Sequence, residues 1–213
     1  MSNNSDTRRV TEIITVLATG LGKFIFMDYL NWRLPFIITA IAGWLAYVWW
    51  RQKTDQTILQ YWGFRLDNFK QAIRLVLPFG LFAFIGFVII GLVQETINLT
   101  WHILPILIIY PIWGVIQQFL VIALVAGNLK DIQQLSLSKP IVILLTAIFF
   151  GLIHYPYNWL IIGTFLLALF YGYVYLRVRN LWVLGLFHGW LGGLFFYTVV
   201  NRDPFIEVFG KYL

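Results

Sequence analysis

The chain has 213 residues, of which 60% are hydrophobic and only 11% are charged, and its mean hydropathy is +0.79. A soluble domain of this length needs far more polar surface, so the composition excludes that class and predicts an all-α, polytopic membrane helix bundle. The net charge of +6 would also suit a nucleic-acid binder. Most of the basic residues, however, fall in alternate connections between apolar segments, which follows the positive-inside rule and argues against nucleic acid as a partner.

The apolar segments predict about seven transmembrane helices, since a span needs roughly 20 residues to cross about 30 Å of hydrocarbon. The basic residues favour an N-in/C-out orientation. In chain order the segments are 10–29, 34–50, 75–93, 102–127, 140–155, 159–176 and 181–200. The fifth is short, and a bundle of eight spans is also compatible with the sequence. We expect one membrane domain over 1–213, forming an integral multi-pass protein of a bacterial-type cytoplasmic membrane in contact with membrane lipid.

Polar side chains interrupt three of the later apolar segments. Gln117 and Gln118 lie deep in the fourth, His154 closes the fifth with Asn158 four residues beyond it, and His188 lies in the seventh. Such groups are costly at membrane depth unless they pair with each other or serve a site, so they predict a polar pocket. Neighbouring helical residues point about 100° apart, and we expect Gln117 to be the inward-facing amide. Each of these side chains is also compatible with a purely structural interhelical hydrogen bond.

The last of these segments carries glycine at every fourth position. Gly185, Gly189 and Gly193 would form a smooth strip along one face of the helix. Such a strip predicts that another helix approaches closely, because small residues let two backbones come together in a membrane. His188 lies beside the strip, so close packing there would also hold its imidazole in place.

Taken together in order, the polar motifs resemble those of the CPBP family, the CAAX-protease and bacteriocin-processing group of intramembrane proteases. The family pattern is a Glu-Glu-x-x-x-Arg helix, then Phe-x-x-x-His, then His-x-x-x-Asn or Asp. The matching positions are Gln117-Gln118, Phe150 to His154, and His188 to Gly192. The resemblance covers 102–200, which corresponds to the family's core.

The resemblance implies a catalytic site formed by Gln117, His154 and His188, with Gln118 and Asn158 as further candidates. In the family, the first Glu and the first His activate a water molecule, and the second His and the Asn stabilise the oxyanion. A metal at the Glu and His side chains is the other mechanism considered for the family. That mechanism would place a divalent metal such as zinc on His154 and His188 here.

This chain departs from the family pattern at the residues that carry the chemistry. The Glu pair is replaced by Gln117-Gln118, the Arg position holds Ile122, and the Asn position holds Gly192. An amide cannot act as a general base, because it has no pKa near the working pH. Losing the Glu and the Arg together leaves no unpaired charge in a low dielectric. Asn158, four residues beyond His154, is a candidate source of the amide missing at Gly192.

The sequence supports several functions, which we keep as alternatives. The first is a homologue with an altered, non-proteolytic polar site that binds a hydrophobic or prenylated peptide, a lipid-like molecule or another membrane protein. The second is an active intramembrane metalloendopeptidase of the CAAX type that uses His154 and His188. A bis-histidine haem protein is less consistent with the different depths of the two histidines. A channel or transporter is less consistent with the lack of an intramembrane charge pair or internal repeat.

Overall fold

The computed structural model describes residues 2–210, and helices make up most of that range, with no strand in it. The predicted all-α class is therefore confirmed. In chain order the α-helices of the described range are α1 (Ser2–Lys23), α2 (Arg33–Thr54), α3 (Ile58–Trp62), α4 (Phe69–Gln94), α5 (Ile103–Gln118), α6 (Asn128–Asp131), α7 (Lys139–Leu152), α8 (Asn158–Tyr175), α9 (Leu181–Phe195) and α10 (Pro204–Phe209). Segments of π-helix follow α1, α5 and α9, at Phe24–Tyr29, Phe119–Gly127 and Phe196–Val200.

Six helical stretches of the described residues are long and apolar enough to cross a membrane, which agrees with an integral membrane protein. They are Ser5–Tyr29, Arg33–Thr54, Phe69–Gln94, Ile103–Asp131, Asn158–Tyr175 and Leu181–Val200. The segment that we predicted as the fifth span forms α7, which has 14 residues and is shorter than a full crossing. The count of about seven spans and the N-in/C-out orientation stay predictions.

The chain forms two compact units, and the structure describes them over residues 2–210. The first unit takes Met1–Arg65 and Phe119–Arg179, and the second takes Leu66–Gln118 and Asn180–Leu213. The single domain expected over 1–213 stays a prediction.

In the first unit, α7 and α8 pack closely through glycines. A methyl group at Gly151 would come within 3.2 Å of the Ile161 carbonyl oxygen, and one at Gly172 within 3.2 Å of Ile143. Lys23, at the end of α1, pairs with Asp28 of the π-helical segment that follows, and their side chains lie 2.8 Å apart. Pairing in this way reduces the cost of placing charge in an apolar segment.

In the second unit, α9 packs against both α4 and α5. The residue before α9, Asn180, caps the helix: its fully buried side chain accepts a 3.0 Å hydrogen bond from the Val183 backbone amide. The Asn180 amide also donates to Asn68 Oδ1 at 2.7 Å, so one side chain both caps α9 and ties it to the residue before α4. These two hydrogen bonds fix where α9 begins, and they therefore fix the position of each α9 residue along the helix axis relative to Asn68.

The segment after α9 is anchored by Asp203, which caps α10. Its carboxylate accepts hydrogen bonds from His102 Nδ1 at 2.7 Å, from the Thr100 hydroxyl at 3.0 Å and from the Tyr197 hydroxyl at 2.8 Å. Burial raises the pKa of Asp203. The hydrogen bonds that it accepts, including one from the Ile206 backbone amide, lower the pKa by more, so the pKa lies below its ordinary value.

Candidate functional site

The two glutamines of α5 differ in exposure, and the buried one is Gln118. Its side chain is 1% exposed, and its Nε2 lies 2.5 Å from Nδ1 of His188, which is 8% exposed. Gln117 is only half-buried. Our choice of Gln117 as the inward-facing amide was therefore wrong. The rotation of α5 about its own axis is set by its packing against α9, which the alternation of polar and apolar residues does not reveal.

Close approach of α5 and α9 brings Gln118 and His188 together. A methyl group at Gly189 would collide with the backbone of Pro111, and one at Gly185 would collide with Val115. Seen from the other helix, a methyl group at Gly114 would collide with the Gly185 carbonyl group and lie 2.8 Å from the Gly189 amide nitrogen. The predicted glycine strip is thus the contact surface, and no larger residue fits there without separating the helices.

The hydrogen bond between Gln118 and His188 favours one tautomer of the imidazole ring. An amide nitrogen can only donate, so the tautomer that fits this contact is the neutral ring with its proton on Nε2. The other end of the amide, Gln118 Oε1, is buried and has no hydrogen-bond partner among the described residues. Buried polar atoms nearly always have a hydrogen-bond partner, so Gln118 Oε1 is an acceptor that a ligand could use.

His154 lies in the turn after α7, in the first unit. Its Nδ1 lies 2.8 Å from the Phe150 carbonyl oxygen and 3.3 Å from the Thr164 hydroxyl oxygen. The Phe150 ring meets the imidazole edge-on, at 5.0 Å between centroids. Donation from Nδ1 to the carbonyl would leave the lone pair of a neutral ring on Nε2, where it can accept a proton or a hydrogen bond.

Asn158 and Gly192 are the two candidate positions for the family's amide. Asn158 is the first residue of α8, and its side chain is exposed. Gly192 is half-buried on α9, one turn after His188. A methyl group at Gly192 would lie 3.9 Å from both His188 and Tyr110, which is an ordinary contact distance. A methyl group can therefore be accommodated at Gly192, and the proposed role of Asn158 as a replacement for the family's amide stays a prediction.

The donor set of the described residues does not fit a zinc site. Among residues 2–210 there is no group of three or more His, Cys, Asp or Glu side chains that could hold a metal ion. His154 and His188 belong to different units, and His188 Nδ1 is already bonded to Gln118. Zinc sites use three or four protein ligands, of which two imidazoles would supply only a part.

A buried carboxylate near the amino terminus was not identified from the sequence. Glu12 of α1 is 5% exposed and accepts hydrogen bonds from the Tyr47 hydroxyl and, at 2.6 Å, from the Asn128 amide. The three residues come from three helices of the first unit, far apart in the chain. Their side-chain types alone gave no signal, since Glu12 lies close to a polar end of its helix. Because its two hydrogen bonds reach α2 and α6, Glu12 ties three helices of the first unit together.

A comparison with family models gives one match. The family described as type II CAAX prenyl endopeptidase Rce1-like matches residues 70–193, which is more than half of the chain. Searches of curated proteins and of solved structures returned no match. The matched range contains the motif positions Gln117, Gln118, His154, His188 and Gly192. The resemblance noted from the motifs is therefore confirmed at the level of the family.

Proposed function

This chain belongs to the type II CAAX prenyl endopeptidase Rce1-like family, and we propose that within this family of intramembrane proteases it binds a ligand rather than cleaving one. The proposed ligand is a hydrophobic or prenylated peptide, or a lipid-like molecule, held at an altered polar site in the bilayer. A bacterial-type cytoplasmic membrane is the location that we propose for it.

The observation that carries this proposal is the Gln118–His188 pair. Hydrolysis in the family pattern needs a carboxylate to take a proton from water, and an amide has no suitable pKa for that role. Gln118 instead donates to His188 Nδ1 and keeps Oε1 as a buried hydrogen-bond acceptor. A buried acceptor without a charge suits recognition of a polar group on an otherwise apolar molecule.

The helices that carry the pair favour contact with an apolar ligand. Helices α5 and α9 contain no Asp, Glu, Lys or Arg, and their sequences are almost entirely apolar. Large apolar side chains on α5 are widely exposed, as in Leu104, Ile108 and Ile112, each more than 60% exposed. A molecule dissolved in the bilayer can reach such a surface without crossing a polar barrier.

The test measures binding and cleavage on the same samples. A farnesylated fluorescent peptide is titrated into purified protein in lipid nanodiscs, and the peptide is then weighed by mass spectrometry. We expect the wild type to bind the peptide and leave it intact. We expect Gln118→Leu to bind at least about tenfold more weakly, because a buried polar contact is lost.

Gln94→Leu is the matched control, since it makes the same chemical change at an exposed residue at the end of α4. It should bind as the wild type does. Equal affinity of wild type and Gln118→Leu would refute the proposed site. Cleavage by the wild type that is abolished in His154→Ala would instead support the endopeptidase alternative.

A further inference from the structure

Gln118 presents one unused hydrogen-bonding atom, and that atom is an acceptor. Its Nε2 is engaged by His188 Nδ1 at 2.5 Å, while Oε1 is buried without a partner. The side chain is 1% exposed, so the oxygen is shielded from bulk water. A group that completes this pair must therefore bring an O–H or N–H donor to the oxygen.

The face of α9 beside the histidine is packed less tightly at Gly192 than at Gly189. A methyl group built at Gly192 would find its nearest heavy atoms, in His188 and Tyr110, only at 3.9 Å. The neighbouring glycines differ, because a methyl group at Gly189 would collide with the backbone of Pro111. A methyl group is therefore excluded at Gly189, whereas at the half-buried Gly192 it would make ordinary van der Waals contacts.

Nothing on the two helices would balance a charge on the ligand. The sequences of α5 and α9 contain no acidic or basic residue. In this unit, Asp203 is paired with His102, and Arg202 is paired with Glu207, all beyond the ends of these helices. An ionised head group would be buried without a counter-charge, which strongly disfavours binding.

We propose that Gln118 selects a neutral hydrogen-bond donor, an amide N–H or a hydroxyl, at the head of an apolar chain. The inference rests on the proposed function and specifies the ligand class of the same site. In this arrangement Gln118 Oε1 accepts from the ligand, while Gln118 Nε2 continues to donate to His188.

Three probes of equal chain length test the selectivity. Dodecanamide carries a neutral donor, N,N-dimethyldodecanamide carries only an acceptor, and dodecanoate carries a charge. Each competes against the farnesylated peptide in nanodiscs, with its partitioning into empty nanodiscs measured and subtracted. We expect dodecanamide to compete about tenfold more strongly than either of the others, as one added hydrogen bond to a buried acceptor predicts.

Two variants test whether the preference for dodecanamide depends on the Gln118 side chain. The preference should disappear in Gln118→Leu and persist in Gln94→Leu. Equal competition by all three probes on the wild type, or a preference for dodecanoate, would overturn the inference whether or not any variant folds. If the peptide binds in a Gln118-dependent way without head-group selectivity, the inference fails and the proposed function stands. If neither the peptide nor any probe binds, both fail.

Discussion

Substituting Gly189 by alanine tests the packing that brings the polar pair together. The added methyl group would lie against the backbone of Pro111 and the Tyr110 carbonyl carbon at distances below any normal contact. Backbone atoms cannot move aside as the end of a flexible side chain can, so α5 and α9 must separate. Separation would also lengthen the 2.5 Å contact between Gln118 and His188.

Gly192→Ala on the same helix supplies the reference for the magnitude. Its methyl group would make only 3.9 Å contacts. Both substitutions raise helix propensity by a similar amount, about 0.8–1.0 kcal/mol in water. That effect cancels in the difference between the two variants and leaves the cost of overpacking, about 1–3 kcal/mol. Because the contact is with backbone, we expect a difference of about 3 kcal/mol.

The measurement is the free energy of unfolding of wild type, Gly189→Ala and Gly192→Ala, followed by circular dichroism during denaturation in mixed micelles. We expect Gly189→Ala to be the least stable and Gly192→Ala to equal or exceed the wild type. Gly189→Ala should also weaken binding of the farnesylated peptide. Equal stability of the two variants would show that α5 and α9 do not approach at Gly189, and the reasoning would fail.

Two further predictions concern the ends of the helices in the second unit. Asn180→Ala removes the cap that accepts from the Val183 amide and should lower the free energy of unfolding by about 1–2 kcal/mol, measured in the same micelles; no change would mean that the cap contributes nothing. The lowered pKa of Asp203 stabilises the fold above the unfolded carboxyl pKa of about 3.9, and this contribution is lost as the pH falls through the lower folded value. Acidification from about pH 6 to about pH 3 should therefore lower the melting temperature of the wild type more than that of Asp203→Asn. Equal decreases in the two melting temperatures would show that the hydrogen bonds to Asp203, including the one from His102, do not stabilise the fold.

The sequence predicted the class of fold and the glycine surface along which α9 packs. Gly185, Gly189 and Gly193 recur at the spacing of one helix face, and spacing of that kind depends only on local geometry. His188 follows from the same reasoning, because a polar residue next to a tightly packed strip must lie at or near the contact. The motifs also identified the family correctly.

The sequence could not decide which of two adjacent amides faces His188. Gln117 and Gln118 are chemically identical, and the choice depends on the rotation of α5 against α9. A π-helical segment begins directly after Gln118, at Phe119, and the change in residues per turn alters the face presented further along. Glu12 and Asn128 were missed because they meet across 116 positions of sequence, a separation at which no periodic pattern is informative.

The most direct test of the central claim is photo-crosslinking of a farnesylated peptide that carries a diazirine on its prenyl chain, using wild-type protein in nanodiscs. Mass spectrometry then gives the attachment site and the mass of the peptide. We predict adducts on α5 or α9 close to Gln118 and His188, with the peptide intact. Adducts confined to the exposed face of α4, or recovery of a peptide cleaved beside its prenylated residue, would contradict the account.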